Sequence, residues 1–127
     1  MLVLLVNLAG CVLFASDPWE NAQYTEDTEL GEGAKTFTLE VKVYENSVAF
    51  TVHTDKDILG DALSELELIE GEEGPYGLYL KKVNGITADY NTTKTYWALY
   101  INGEYALTGI DGTNIEEGDI YRLEYSK

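Results

Sequence analysis

Apolar and polar residues alternate from residue 36 to residue 44. Phe37, Leu39, Val41 and Val43 fall on one side, and Thr38, Glu40, Lys42 and Tyr44 on the other. A period of two places the apolar set on one face of a β-strand. After a turn at Glu45-Asn46, residues 47–54 alternate again with Val48, Phe50 and Val52 inward, so the two runs predict a β-hairpin with one buried face. The period then changes. Leu59, Ala62, Leu63 and Leu66 recur at i, i+3, i+4 and i+7, one apolar stripe on a short helix, with Asp55 to Asp57 offering its N-cap and Gly60 weakening it. The stretch from Glu70 to Pro75 predicts a glycine-rich acidic loop. Residues 78–83 read as a third strand closed by Asn84-Gly85, and residues 86–94 as a polar connection.

The rest of the chain is organised around residues 95–103, Thr-Tyr-Trp-Ala-Leu-Tyr-Ile-Asn-Gly, a central strand rich in aromatic and β-branched residues. Its Asn102-Gly103 end is a strong hairpin signal. Trp97, Leu99 and Ile101 point to one face and Tyr96, Ala98 and Tyr100 to the other. A strand apolar on both faces is covered on both, or presents an aromatic surface to a ligand. Residues 104–107 return as a short strand, residues 109–118 form a loop or a single turn, and residues 119–125 form the last strand, with Tyr121, Leu123 and Tyr125 on one face. Hairpin, helix, then several strands is the order of an α+β fold, a β-grasp-like mixed sheet with one helix packed across it.

The domain so read spans residues 36–127. Ahead of it, residues 1–16 are an apolar run too short for a membrane span of about 20 residues and suited to a secretory leader. Leu8-Ala9-Gly10-Cys11 resembles the bacterial lipobox, which marks Cys11 for lipidation, although no lysine or arginine precedes the run. An ordinary signal peptide with an incidental cysteine is the other reading. Residues 17–35 are acidic and without apolar period, which predicts a flexible linker. The expected location is the extracellular face of the membrane, held there through an N-terminal lipid only, or else secretion.

Charge narrows the partners. The 127 residues carry a formal net charge of −15, and Arg122 is the single arginine; such a field repels nucleic-acid backbones. Cys11 is the only cysteine, so no internal disulfide supports the fold. His53 is the only histidine and has no cysteine or histidine beside it in the pattern, so neither a metal site nor a nucleophile–base pair is expected, and neither is an enzyme. Ten tyrosines make the chain aromatic. Tyr76, Tyr79, Tyr96, Trp97 and Tyr100 form a candidate ligand platform whose flat faces and polar tips suit a planar ring or a sugar. The competing reading puts Trp97 in the core between sheet and helix, with the tyrosines on a solvated face.

Asp61-Ala62-Leu63, Tyr76-Gly77-Leu78-Tyr79-Leu80, Val83-Asn84-Gly85-Ile86, Tyr96-Trp97, Asn102-Gly103, Leu107-Thr108-Gly109-Ile110 and Glu117-Gly118-Asp119-Ile120 follow one another over the last two thirds of the chain. In this order and spacing the chain resembles the C-terminal β-domain of transcobalamin and intrinsic factor, and the standalone bacterial domains of that type, many of them lipoproteins. The resemblance implies a non-catalytic β-grasp-like binding module. It also implies cobalamin, or another corrinoid, as bound ligand rather than catalytic cofactor. In the vitamin carriers that ligand is cradled mainly by a separate α-helical domain, so a small-molecule ligand held together with a partner protein is the first expectation here. A cell-surface adhesion or scaffolding domain recognising protein is the alternative.

Overall fold

A computed structural model describes residues 17–75 and 77–127, and these are dominated by β structure, with 49% of the described residues in strands and 16% in helices. In chain order come a 3-10 turn (Pro18–Asn21), β1 (Thr28–Gly31), β2 (Lys35–Val43), β3 (Asn46–Thr54) and α1 (Leu59–Glu65). Then follow β4 (Ile69–Gly74), β5 (Gly77–Val83), β6 (Ile86–Thr87), the single turn α2 (Tyr90–Thr93), β7 (Tyr96–Ile101), β8 (Glu104–Tyr105), a second 3-10 turn (Ile110–Gly112) and β9 (Ile120–Ser126). The strands form a mixed six-stranded sheet, ordered β1-β3-β2-β9-β7-β8, and a three-stranded sheet, β4-β5-β6. The expected leader, residues 1–16 with Cys11, lies outside the described residues, as does Tyr76. No helix among the described residues is long and apolar enough to cross a membrane.

The alternating hairpin forms as its pattern requires: every inward residue of β2 and β3 is buried, and β9 runs parallel to β2 with Tyr121 and Leu123 on the same face. These residues join Leu59, Ala62 and Leu63 of α1, Trp97 and Leu99 of β7, and Val83 and Ile86 of the second sheet in one apolar core. The hairpin turn is one residue earlier than the pattern suggests. Val43 pairs with Asn46, leaving Tyr44 and Glu45 as a two-residue turn with Tyr44 at φ 56°. Such turns match the twist of the strands. Asn102-Gly103 and Asn84-Gly85 both take positive φ throughout, as their residue types favour.

Four expectations are corrected by tertiary contacts. First, α1 takes no cap from Asp55 to Asp57. Its N-cap is Ile58, which bridges to Asn114, while Leu59 N donates to the Thr113 carbonyl at 2.9 Å. Asp57 instead pairs with Lys35 at 3.0 Å, and Asp55 accepts from Ala34 N at 2.9 Å. Second, the stretch read as an acidic loop is β4, paired antiparallel with β5 through a bulge at Glu70/Gly71. Its side chains from Glu70 on are exposed, so ladder hydrogen bonds rather than an apolar period make it a strand. Third, the polar connection contains β6 and α2, the latter capped by Asp89, whose carboxylate accepts from Asn91 N at 3.0 Å.

Fourth, residues 17–35 are not a bare linker. β1 lies parallel to β3, with Leu30 opposite Val52. Trp19 and Tyr24 pack on the core, Tyr24 edge-on to Phe50 with ring centroids 5.4 Å apart. The fully buried Asn84 clamps the segment: its amide accepts from Tyr24 N at 2.8 Å and donates to the Tyr24 carbonyl at 2.9 Å, while its own carbonyl accepts from Gln23 N at 2.8 Å. None of these contacts leaves a trace in local hydrophobic pattern.

Candidate functional site

β5 of the small sheet packs near β7 of the large one, and residues of both line a hollow of about 220 Å³. Leu78 and Leu80 line it from β5, Trp97 and Leu99 from the core face of β7, and Ala106 and Ile110 from the connection after β8. Two contacts hold that geometry. Leu78 N donates to Asp111 Oδ2 at 3.0 Å, fastening the start of β5 to the turn Ile110–Gly112. Gly60 of α1 is buried directly against Asp111, and a Cβ at that position would fall on the Asp111 carboxylate. The glycine that weakens the helix in isolation is therefore what lets the turn approach it.

Trp97 is 7% exposed and lies edge-on to Tyr125, with ring centroids 5.5 Å apart. It belongs to the core, as the packing reading expected, and it also lines the hollow. Its indole Nε1 is buried without a hydrogen-bond partner. A donor left in that state costs about 1–3 kcal/mol. Tyr79 and Tyr96 border the same hollow and continue into a second, of about 490 Å³, whose other walls are Lys81, Asp89, Tyr90 and Asn91.

Of the predicted platform, Tyr79, Tyr96 and Trp97 are thus brought together, and Tyr76 lies outside the described residues. Tyr100 is not among the lining residues of either hollow. It lies on the face of β7 away from Trp97, two pairs along from Tyr96, where the Arg122 guanidinium lies 4.2 Å from its ring centroid and Tyr105 meets it edge-on. Arg122 in turn donates through Nε to Glu124 at 3.0 Å. Tyr90 was missed because the residues around it carry no apolar period. The legible signal was the Asp89 cap, which announces a helical turn and with it an outward-facing tyrosine.

His53 faces outward from β3 as its position predicted. Its Nδ1 lies 3.0 Å from Thr36 Oγ1, and Glu29 of β1 meets its other nitrogen. The phenol of Tyr121 is fully buried and donates to Asp119 Oδ2 at 2.8 Å; burial first, then that bond, push its pKa well above the ordinary tyrosine range. Among the described residues, no three His, Cys, Asp or Glu side chains gather where they could hold a metal ion.

Among the solved structures that resemble this fold are the following two. A provisionally named metal binding protein from Ruminococcus gnavus ATCC 29149 is 30% identical with a TM-score of 0.70, over 74% of this chain and 98% of that one. Haptocorrin, solved in complex with Cbi, is 23% identical with a TM-score of 0.56, over 73% of this chain and 25% of that one. The present chain therefore spans a quarter of haptocorrin's length, and the likeness is one of fold, transcobalamin-like in kind. A search of the curated proteins finds no match. The DUF4430 model, a domain of unknown function, matches residues 56–127, more than half of the chain, and the chain belongs to that family.

Proposed function

We propose that the chain is a non-catalytic binding module on the extracellular face of the membrane, lipid-anchored through Cys11, that takes a small ligand at the hollow between β5 and β7 together with a partner protein. The observation that carries this reading is the apolar hollow lined by Trp97 and bordered by Tyr79 and Tyr96. An apolar pocket with few convergent polar groups is the ordinary form of a small-molecule site. A partner is part of the reading because the site is shallow, and affinity needs water removed from more than one side of a ligand. Tyr105 at the end of β8, 58% exposed, and Leu107 on the connection after it, 96% exposed, stand on either side of Ala106 and offer such a partner an apolar foothold.

The β-grasp assignment belongs to the same proposal. Its support is the hairpin β2-β3, then α1, then β9 lying parallel against β2. A corrinoid is the first ligand to test, since the haptocorrin structure that shares the fold was solved with Cbi. The lipobox-like Leu8-Ala9-Gly10-Cys11 supports the anchor. Protein recognition without a small ligand is the second reading, and exposed Leu107 favours it.

The test is a titration with cobalamin and cobinamide in a Trp19→Phe background, so that Trp97 alone reports. Ligand capture predicts quenching of Trp97 and a shift in corrinoid absorbance, both lost in Trp97→Phe. No change in either signal at high micromolar ligand removes the corrinoid and leaves the protein-recognition reading.

A further inference from the structure

The docking of residues 17–35 changes what an anchor at Cys11 does. Were that stretch a free linker, the 24 residues 12–35 would separate Cys11 from the domain, a chain that extends to about 80–90 Å. In the folded chain the stretch is fastened from its start. Asp17 accepts from Trp19 N at 3.0 Å, Trp19 packs on the core, and Asn84 clamps Gln23 and Tyr24. Residues 12–16 alone then separate Cys11 from the docked segment, a reach of about 20–22 Å at full extension.

The strand registers fix which end of the domain that leash reaches. Asp17 and Pro18 share a small hollow with Tyr44, Glu45 and Asn46 of the β2–β3 turn. β9 runs parallel to β2 with Lys42 opposite Glu124, and β7 runs antiparallel to β9 with Tyr96 opposite Ser126. The end of β9 and the start of β7 therefore lie at the same end of the large sheet as Tyr44. The other end, where Lys35 pairs with Thr54 and Thr36 N donates to Glu117, is about 26 Å away along β2. The near end presents tyrosines. Tyr44 tips the turn, 52% exposed, with its ring edge-on to Tyr125. Tyr90, 51% exposed, lines a hollow with Tyr96 at the start of β7. An apolar ring with a polar tip suits the headgroup layer of a bilayer. Exposed carboxylates of Asp17 and Glu45 share this end, and an acidic domain is not drawn to an anionic bilayer, so the tether rather than charge must bring the two together.

We propose that the end of the large sheet formed by the β2–β3 turn is the membrane-facing surface of this domain, with Tyr44 in the headgroup layer of the bilayer that holds Cys11. This deepens the reading of the chain as lipid-anchored through Cys11 and rests on it, and it is independent of what the hollows bind. The experiment places the lipidated chain, its acylation read from the intact mass, in phosphatidylcholine nanodiscs, and compares backbone amide signals with and without a nitroxide headgroup lipid. The signals of Glu45 and Asn46 are expected to be lost, and those of Lys56 and Glu117 to be kept. Tyr44→Asn removes the ring and suits the φ of 56°, and it is expected to restore much of the Glu45 and Asn46 signals. A Gly-Ser spacer of about ten residues between Ser16 and Asp17 lengthens the leash without touching the domain and is expected to restore them fully. Thermal melts of both variants, expected to match the parent, confirm that restored signals are not lost folding. Signals lost evenly at the two ends, lost first at Lys56 and Glu117, or kept throughout overturn the proposal and leave the anchor standing. Signals still lost with the spacer overturn the leash, and signals still lost in Tyr44→Asn overturn the tyrosine contact. An intact mass without acyl chains overturns the anchor and this orientation together, with the Trp97 titration still standing or falling by itself.

Discussion

Tyr121 shows how one residue couples core and loop. It fills the core edge-on to Phe37, with ring centroids 5.3 Å apart, while its hydroxyl reaches Asp119 and so ties the connection before β9 to the strand itself. Burial and the bond to Asp119 keep the folded phenol protonated above its ordinary value of about 10. The sign follows from linkage: the unfolded chain releases that proton first, so the associated stability is complete below about pH 10 and declines as pH rises beyond it. Urea midpoints measured from about pH 9 to 11.5 should fall in the parent, and fall less steeply in Tyr121→Phe. Parallel curves would mean that the folded phenol ionises with the rest.

At the scale of elements, the segment from Asp17 to Lys35 is the instructive case. β1 adds a strand to the edge of the large sheet, but a four-residue strand contributes little by itself. What holds the segment is Asn84 at the β5–β6 turn, through two side-chain bonds to Tyr24 and a backbone bond to Gln23. Asn84→Gly retains the positive φ of 52° that the turn needs and removes only the side chain. The expected cost is about 2 kcal/mol, roughly 1 kcal/mol for each lost bond. Hydrogen exchange should show Thr28 to Gly31 losing protection while β2 and β9 keep theirs. Unaltered protection over β1 would show that strand pairing, not the clamp, docks the segment.

The whole molecule is governed by its charge. A net of −15 on 127 residues opposes the compact state through self-repulsion, with only two close lysine or arginine ion pairs among the described residues to offset it. These pairs are partly exposed and contribute little each. Raising sodium chloride from about 20 mM to about 500 mM shrinks the screening length severalfold and should raise the melting temperature. A melting temperature that is flat or falling over that range would mean that local attractions outweigh the global repulsion.

The alternation in residues 36–54, the i, i+3, i+4 stripe on α1 and the Asn-Gly pairs were sufficient to predict β2, β3, α1 and the turns after β5 and β7, because each is dictated by interactions within a few residues. They left Trp97 open between the core and an aromatic platform with Tyr79 and Tyr96. Tertiary structure decided everything that depends on partners distant in sequence. β4 is a strand because β5 offers it a ladder, α1 starts without a capping side chain because residues 113 and 114 pair with it, and β1 docks because Asn84 lies 60 residues away along the chain. Only the approach of the two sheets lines the hollows, adds Tyr90 to the aromatic wall and leaves Tyr100 out of it. Local pattern records which side of a strand is apolar, and it holds no information about which other strand that side will meet.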